Sequence, residues 1–242
     1  GKLKNQKDVT VTDLPGIYSL SPYTLEEVVS RDYLLKEKPD VIIDLVDATN
    51  IERNLYLATQ LLEIGIPVVI ALNMVDLLKK NNIHINVKGL SSALGCPIVE
   101  TSALKGTGLK EVVDEAIKCA NQHRVPSKQM EFPKAVEKAV NEIEGFVPAN
   151  IAEENKRWYA VKLLERDSKV KEGLNLPASA QSRIEEIASG LEKAEDDDTE
   201  SIVTDGRYQY IQKVVSANVK RSGNKMTVSD KIDRIVTNRI LG

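Results

Sequence analysis

Residues Ile66-Pro67-Val68-Val69-Ile70-Ala71-Leu72 form an almost unbroken apolar run that stops at Asn73-Met74-Val75-Asp76. A short run that is continuous rather than alternating reads as a strand buried on both faces, as in parallel sheets covered by helices. The proline sits at its start, where a strand tolerates one. The end of the run carries chemistry. The Asp76 carboxylate can accept two hydrogen bonds, from the N1–H and the 2-amino group of guanine, and adenine has no matching pair of donors. The Asn73 side chain, at the strand tip, ties together the loops around such a base. A four-residue pattern arises often by chance, and two companions in the right order give this one weight.

Upstream, Val9-Thr10-Val11-Thr12 alternates like a half-buried strand and runs into Asp13-Leu14-Pro15-Gly16. An Asp at a strand tip can hold Mg²⁺ through a water. The Gly three residues on lets its backbone N–H approach a terminal phosphate that no side chain should obstruct. Downstream, Pro97-Ile98-Val99-Glu100 leads into Thr101-Ser102-Ala103-Leu104, where small residues let a backbone N–H reach the guanine O6. Asp-x-x-Gly, Asn-x-x-Asp and Ser-Ala, each expected at the C-terminal end of a strand, follow the layout of a small GTPase, since open α/β sheets bind ligands at that edge. The candidate nucleotide-binding residues are therefore Asp13, Leu14, Pro15, Gly16, Asn73, Met74, Asp76, Ser102, Ala103 and Leu104, with Asp13 also the candidate metal residue. The bland alternative is three ordinary turns rich in Asp, Gly and Ser.

The bulk composition narrows the class. With 242 residues the chain can bury one good core and a second, smaller one. A formal net charge of −3, with no Lys/Arg-rich block, argues against nucleic acid as a partner. No apolar stretch nears the roughly 20 residues that span a bilayer, so the segment is expected to be soluble. Cys96 and Cys119 are too few for a disulfide framework and read as partly buried thiols; His84 and His123 lack ligand spacing and read as surface or loop residues.

Strands and helices alternate in the first half. Asp40–Asp47 is a second apolar run, expected to be covered on both faces like Ile66–Asn73. Ile51–Ile64 has helical apolar spacing and stops at Gly65, and a further helix is expected from Leu109 to about Ala120. The fold expected is α/β, a doubly wound, mostly parallel sheet followed by a small all-helical domain, with a G domain over 1–122 and a helical domain over 123–242. From Lys134 onward no run looks like a strand, and helices are expected over Ala135–Ile143, Lys156–Asp167, Ala178–Lys193, Ser201–Lys220 and Val228–Leu241. Trp158 and Tyr159 read as core. The acidic Glu195-Asp196-Asp197-Asp198 reads as helix-start charge, with Asp198 or Thr199 as a cap.

Longer stretches resemble a known family. Asp13-Leu14-Pro15-Gly16-Ile17-Tyr18-Ser19-Leu20-Ser21-Pro22-Tyr23, Arg31-Asp32-Tyr33-Leu34 and Val46-Asp47-Ala48-Thr49-Asn50-Ile51-Glu52-Arg53-Asn54-Leu55-Tyr56-Leu57 resemble the cytosolic region of ferrous iron transport protein B, the FeoB family. Asn73-Met74-Val75-Asp76 and Thr101-Ser102-Ala103 continue the match, and the helical half through Arg239 resembles that family's helical domain. The resemblance implies a GTP/GDP-binding GTPase with Mg²⁺ at Asp13. The same resemblance implies a place on the cytoplasmic face of the prokaryotic inner membrane, coupled to the membrane-embedded remainder of an Fe²⁺ transporter. It also implies that Ile17 to Arg31 changes shape with the nucleotide. Oligomerisation with further copies is left open.

Two departures qualify it. Many GTPases carry a water-orienting Gln after the Asp-x-x-Gly glycine; here Ile17 stands there, so hydrolysis should be slow or use a backbone group or a monovalent cation such as K⁺, and no side chain is named catalytic. The chain also holds no Gly-x-x-x-x-Gly-Lys-Ser/Thr loop: Gly1-Lys2 has no partner glycine, and Gly106-Thr107-Gly108 lacks the lysine. The expectation is an N-terminally truncated G domain that binds and hydrolyses GTP poorly as it stands. Two alternatives stay open, a non-hydrolysing GTPase-like scaffold and a ribosome- or tRNA-associated GTPase.

Overall fold

The computed structural model describes residues 1–3, 6–21, 24–127 and 130–222; the helix expected over Val228–Leu241 lies outside them. In chain order the elements are β1 (Lys2–Leu3), β2 (Gln6–Thr10), α1 (Leu25–Glu37), β3 (Ile42–Asp47), α2 (Ile51–Glu63), β4 (Val68–Asn73), the single turn α3 (Val75–Leu78), β5 (Ile83–Ile85), α4 (Val87–Leu94), β6 (Ile98–Glu100) and α5 (Leu109–Asn121). The second half continues with α6 (Lys134–Glu144), α7 (Glu153–Leu164), α8 (Ser168–Leu174), α9 (Ala178–Glu195), α10 (Thr199–Asn218) and β7 (Val219–Arg221).

Strands β3, β4 and β6 form a parallel sheet in that order, flanked by helices and followed by the helical part, which is the fold class the sequence implies. Asp47 stands opposite Asn73 and Leu72 opposite Glu100, so the segments leaving all three strands share one edge. Alternate residues of β4 serve the two faces. Val68, Ile70 and Leu72 join Ile51 and Leu55 of α2 in the main core, and Val69 packs with Ala116 and Cys119 of α5. Cys96 and Cys119 are both free and buried.

Several expectations need correction. The alternation through Thr12 does not make one strand: β2 stops at Thr10 and pairs antiparallel with β1, outside the parallel sheet. Asp13 therefore sits in a loop three residues past the strand. Nor is β3 covered on both faces, because Ile43 and Leu45 are 39% and 66% exposed. Helix α5 packs on Val69 of β4 and reaches Val41 just before β3, leaving the outer face further along β3 open among the described residues. The chain does return to strand after Lys134: β7 pairs antiparallel with β5, Ile83 opposite Arg221 and Ile85 opposite Val219. Three residues are too few to show a period. The expected helix through Asp167 breaks at Arg166, whose φ is 57°, and Asp167 instead caps α8 by accepting from Val170 N at 3.0 Å.

Among the described residues the helical part has no separate core. Trp158, Val161, Leu164, Val203 and Ile211 belong to the same buried cluster as α2 and the α2-facing side of the sheet. Two buried ion pairs stitch the halves together: Arg207 Nη2 to Glu63 Oε2 and Arg31 Nη1 to Asp167 Oδ2, each 2.6 Å. Tyr210 Oη donates to Ala93 O at 3.0 Å, and Asn86 N to Asn218 O at 2.7 Å, so α10 lies along the first half from α2 to β5. Asp198 caps α10 by accepting from Ser201 N, as expected of that acidic run. Among the described residues no helix is long and apolar enough to cross a membrane.

Candidate nucleotide site

Strand β4 delivers Asn73 to the shared edge, and Met74 turns the chain there with a φ of 63°. That turn opens α3 and sets Asp76 on it. Strand β6 ends beside it, with Thr101 N donating to Leu72 O at 2.8 Å and Val75 N to Thr101 O at 3.3 Å. The side chains then lock the loops. Asn73 Oδ1 accepts from Ala103 N at 3.0 Å and from the Thr101 hydroxyl at 3.4 Å. Asp76 Oδ1 accepts from the Ser102 hydroxyl at 2.7 Å, and Lys105 Nζ lies 4.0 Å from Asp76 Oδ2. Asn73, Asp76, Ser102 and Ala103 thus come together as expected.

The loop after β6 closes on itself. Ser102 and Thr107 exchange backbone hydrogen bonds of 3.1 and 3.2 Å, and Gly106 N donates to Ala103 O at 3.3 Å. Since Ala103 N is held by Asn73, the Leu104 N–H is the amide of 103–106 without a protein acceptor among the described residues. Leu104 itself is 89% exposed. Gly108 makes the return possible: its φ is 77°, and a Cβ there would lie 2.1 Å from Glu100 O. Neither Lys105 nor Gly108 is singled out from the sequence. The short spacing of Gly106 and Gly108 is the signal that could have found the latter.

A third segment reaches the same edge. Asp47, the last residue of β3, accepts from Thr49 N at 2.8 Å, the Thr49 hydroxyl at 2.7 Å and Asn50 Nδ2 at 3.0 Å. Burial pushes its pKa up, but these hydrogen bonds outweigh that and hold it below the usual carboxylate value. Three residues earlier in β3, Asp44 is buried, with Oδ2 unpaired, and burial raises its pKa to about 7.

Asp13, Leu14, Pro15 and Gly16 are placed differently. Asp13, Pro15 and Gly16 are exposed and Leu14 packs partly on the core. The loop is tied through the Ser30 hydroxyl to Pro15 O at 3.4 Å, and Ile17 also leans on the core. Among the described residues no hydrogen bond or ion pair joins it to the Asn73–Asp76 loop. Helix α1 follows, started by a reciprocal cap in which Glu27 N donates to Thr24 Oγ1 and Thr24 N to Glu27 Oε2. Among the described residues no cluster of three or more His, Cys, Asp or Glu could hold a metal, so the Asp13 carboxylate alone fits only an ion that phosphates and water complete.

Comparisons with known proteins identify the family and the fold. Residues 1–116 match the family model of ferrous iron transport protein B, and residues 132–220 match that of the FeoB cytosolic helical domain. The chain is 37% identical over 248 residues to the Fe(2+) transport protein A/Fe(2+) transporter FeoB fusion protein of Porphyromonas gingivalis, covering 97% of this chain and 29% of that protein. It is 35% identical over 246 residues to the Fe(2+) transporter FeoB of Escherichia coli, covering 97% and 30%. The chain thus spans less than a third of the length of these curated relatives. A GDP-bound mutant of the S. thermophilus FeoB G-domain superposes with a TM-score of 0.87 at 43% identity, over 91% of this chain and 85% of that one. The S. thermophilus NFeoB structure bound to GDP·AlF4⁻ and K⁺ gives 0.84 at 44% identity, over 89% and 84%.

Proposed function

This chain belongs to the FeoB family, and from that membership we propose that it is the guanine-nucleotide-binding and helical part of a prokaryotic Fe²⁺ transporter, a GTPase on the cytoplasmic face of the membrane. The observation that carries the reading is the interlock of Asn73, Asp76, Ser102 and Ala103 at the C-terminal edge of a parallel sheet. In it Asp76 accepts from guanine N1–H and the 2-amino group, with its carboxylate aimed by the Ser102 hydroxyl. Asn73 clamps the loop after β6, and the Leu104 N–H meets O6. Met74 lines the turn. We divide the chain between residues 122 and 123 into the G domain and the helical domain.

Asp13, Leu14, Pro15 and Gly16 face the phosphates in this reading. Mg²⁺, when bound, neutralises charge on them, and Asp13 holds it through water. Gly16 offers its backbone N–H where a Cβ would meet nothing within 4 Å. Ile17 cannot orient water, so hydrolysis relies on other groups; the relative solved with K⁺ makes a monovalent cation the first candidate. The sheet edge at β3 and the hairpin β1–β2 are separate, and these 242 residues contain no phosphate-binding Gly-x-x-x-x-Gly-Lys-Ser/Thr loop. We therefore expect them to bind guanine nucleotides weakly on their own. Titrating fluorescent GDP into this chain, and into the chain continued upstream through a phosphate-binding loop, tests the reading. Tight binding with slow GTP hydrolysis only in the longer chain supports it; tight binding by the 242 residues alone contradicts it.

A further inference from the structure

Past Gly16 the chain is caught on one face of α2, where Arg53 and Gln60 lie two turns apart. The Arg53 guanidinium carbon is 4.2 Å from the centroid of the Tyr18 ring. Leu20, fully buried, donates its backbone N–H to Gln60 Oε1 at 2.7 Å, and the Ser19 hydroxyl reaches the same oxygen at 3.3 Å. A backbone N–H can only donate, so it fixes which end of the Gln60 amide is oxygen. The other end is unused: Gln60 is 1% exposed, and its Nε2 has no partner. Two buried donors without an acceptor disfavour the state that leaves them so. Just upstream, residues 12–17 make no backbone–backbone hydrogen bond among the described residues. A loop without ladder bonds thus runs directly into a fixed point that holds spare donors.

We propose that Gln60 is a positioning residue for the phosphate side of the site. Its oxygen anchors the chain at Leu20, and its Nε2 takes a backbone carbonyl of residues 17–19 when the Asp13–Gly16 loop closes on a third phosphate. This deepens the reading above and rests on Asp13–Gly16 facing the phosphates. Gln60 then favours triphosphate over diphosphate while leaving base choice to Asp76.

The test uses the chain continued upstream through a phosphate-binding loop, titrated with GDP, XDP and a non-hydrolysable GTP analogue. Gln60→Glu keeps the acceptor and removes the donors, and Gln60→Met removes both at similar volume, so one variant covers for the other should a buried charge prevent folding. In either variant the ratio of triphosphate to diphosphate affinity should fall about tenfold, the scale of one hydrogen bond, with guanine over xanthine preference unchanged. Equal losses for both nucleotides would reduce Gln60 to a structural role, and an unchanged ratio would remove it altogether; either overturns the proposal. A wild type without guanine preference would instead sink the nucleotide reading beneath it.

Discussion

Asn73, Asp76, Thr101, Ser102 and Ala103 hold one another through hydrogen bonds, while Asp13 and Gly16 stand exposed on a loop that lacks ladder bonds. In the reading proposed above, the base side is held in place by the protein's own contacts, and the phosphate side is expected to be ordered by what binds. Pre-built recognition keeps affinity by avoiding an ordering cost, and a loop ordered on binding can report which ligand is present. The elements under both sides are tied to the helical part by buried ion pairs. Glu63–Arg207 sits under α2, and Arg31–Asp167 lies behind α1, one residue from the Ser30 that touches Pro15.

The largest expected effect tests the platform both sides share. Arg207→Met leaves the Glu63 carboxyl without its partner in a site where the pair is 0% and 2% exposed, and should cost about 3–5 kcal/mol in urea unfolding. Adding Glu63→Leu should return most of that loss; no recovery would mean the pair is not the cause. The next concerns Asp44. Its folded-state pKa of about 7 lies above the ordinary 3.8, so folding favours the protonated acid. That stabilisation is complete below about pH 4 and disappears as pH rises through 7, a change on the order of 4 kcal/mol at about 1.4 per unit. Asp44→Asn should flatten this slope in stability measured across pH, and an unaltered slope would place the titration elsewhere.

Two glycines then set the sides against each other. Gly108→Ala forces a side chain against Glu100 O at a left-handed φ and should cost about 1–3 kcal/mol or more, with guanine preference lost alongside. Gly16→Ala meets nothing within 4 Å and should change stability by less than about 0.5 kcal/mol, its effect appearing only in triphosphate binding. Similar stabilities for the two variants would erase the contrast.

What the sequence discloses follows the same division. The runs at β3 and β4 and the faces of α2 and α5 are legible because burial on a regular element imposes a pattern, and the ends of α2 and α5 fall within a residue of expectation, whereas α7 is displaced by three residues at each end. Helix α1 is not among the expected helices, because its apolar spacing does not mark it; the Thr24-x-x-Glu27 cap is the signal that could have found it. Contacts between distant segments leave no such trace. Arg31 and Asp167 are 136 positions apart, and β7 is three residues whose partner lies at 83–85. The loop past β2 escapes prediction because alternation through Thr12 continues where pairing does not. At the site, the motif residues are legible as types, while the requirement for Gly108 comes from a carbonyl eight residues back and is visible only in three dimensions.

The most direct test of the central claim is nucleotide preference in the chain continued upstream through a phosphate-binding loop, with and without Asp76→Asn. Titration with fluorescent GDP, ADP and XDP should give GDP preference in the wild type. Replacing carboxylate by amide reverses the donor–acceptor pattern at that edge, so the variant should move to XDP. A wild type that binds GDP no better than ADP would contradict the assignment of Asp76, and with it the pre-built base site.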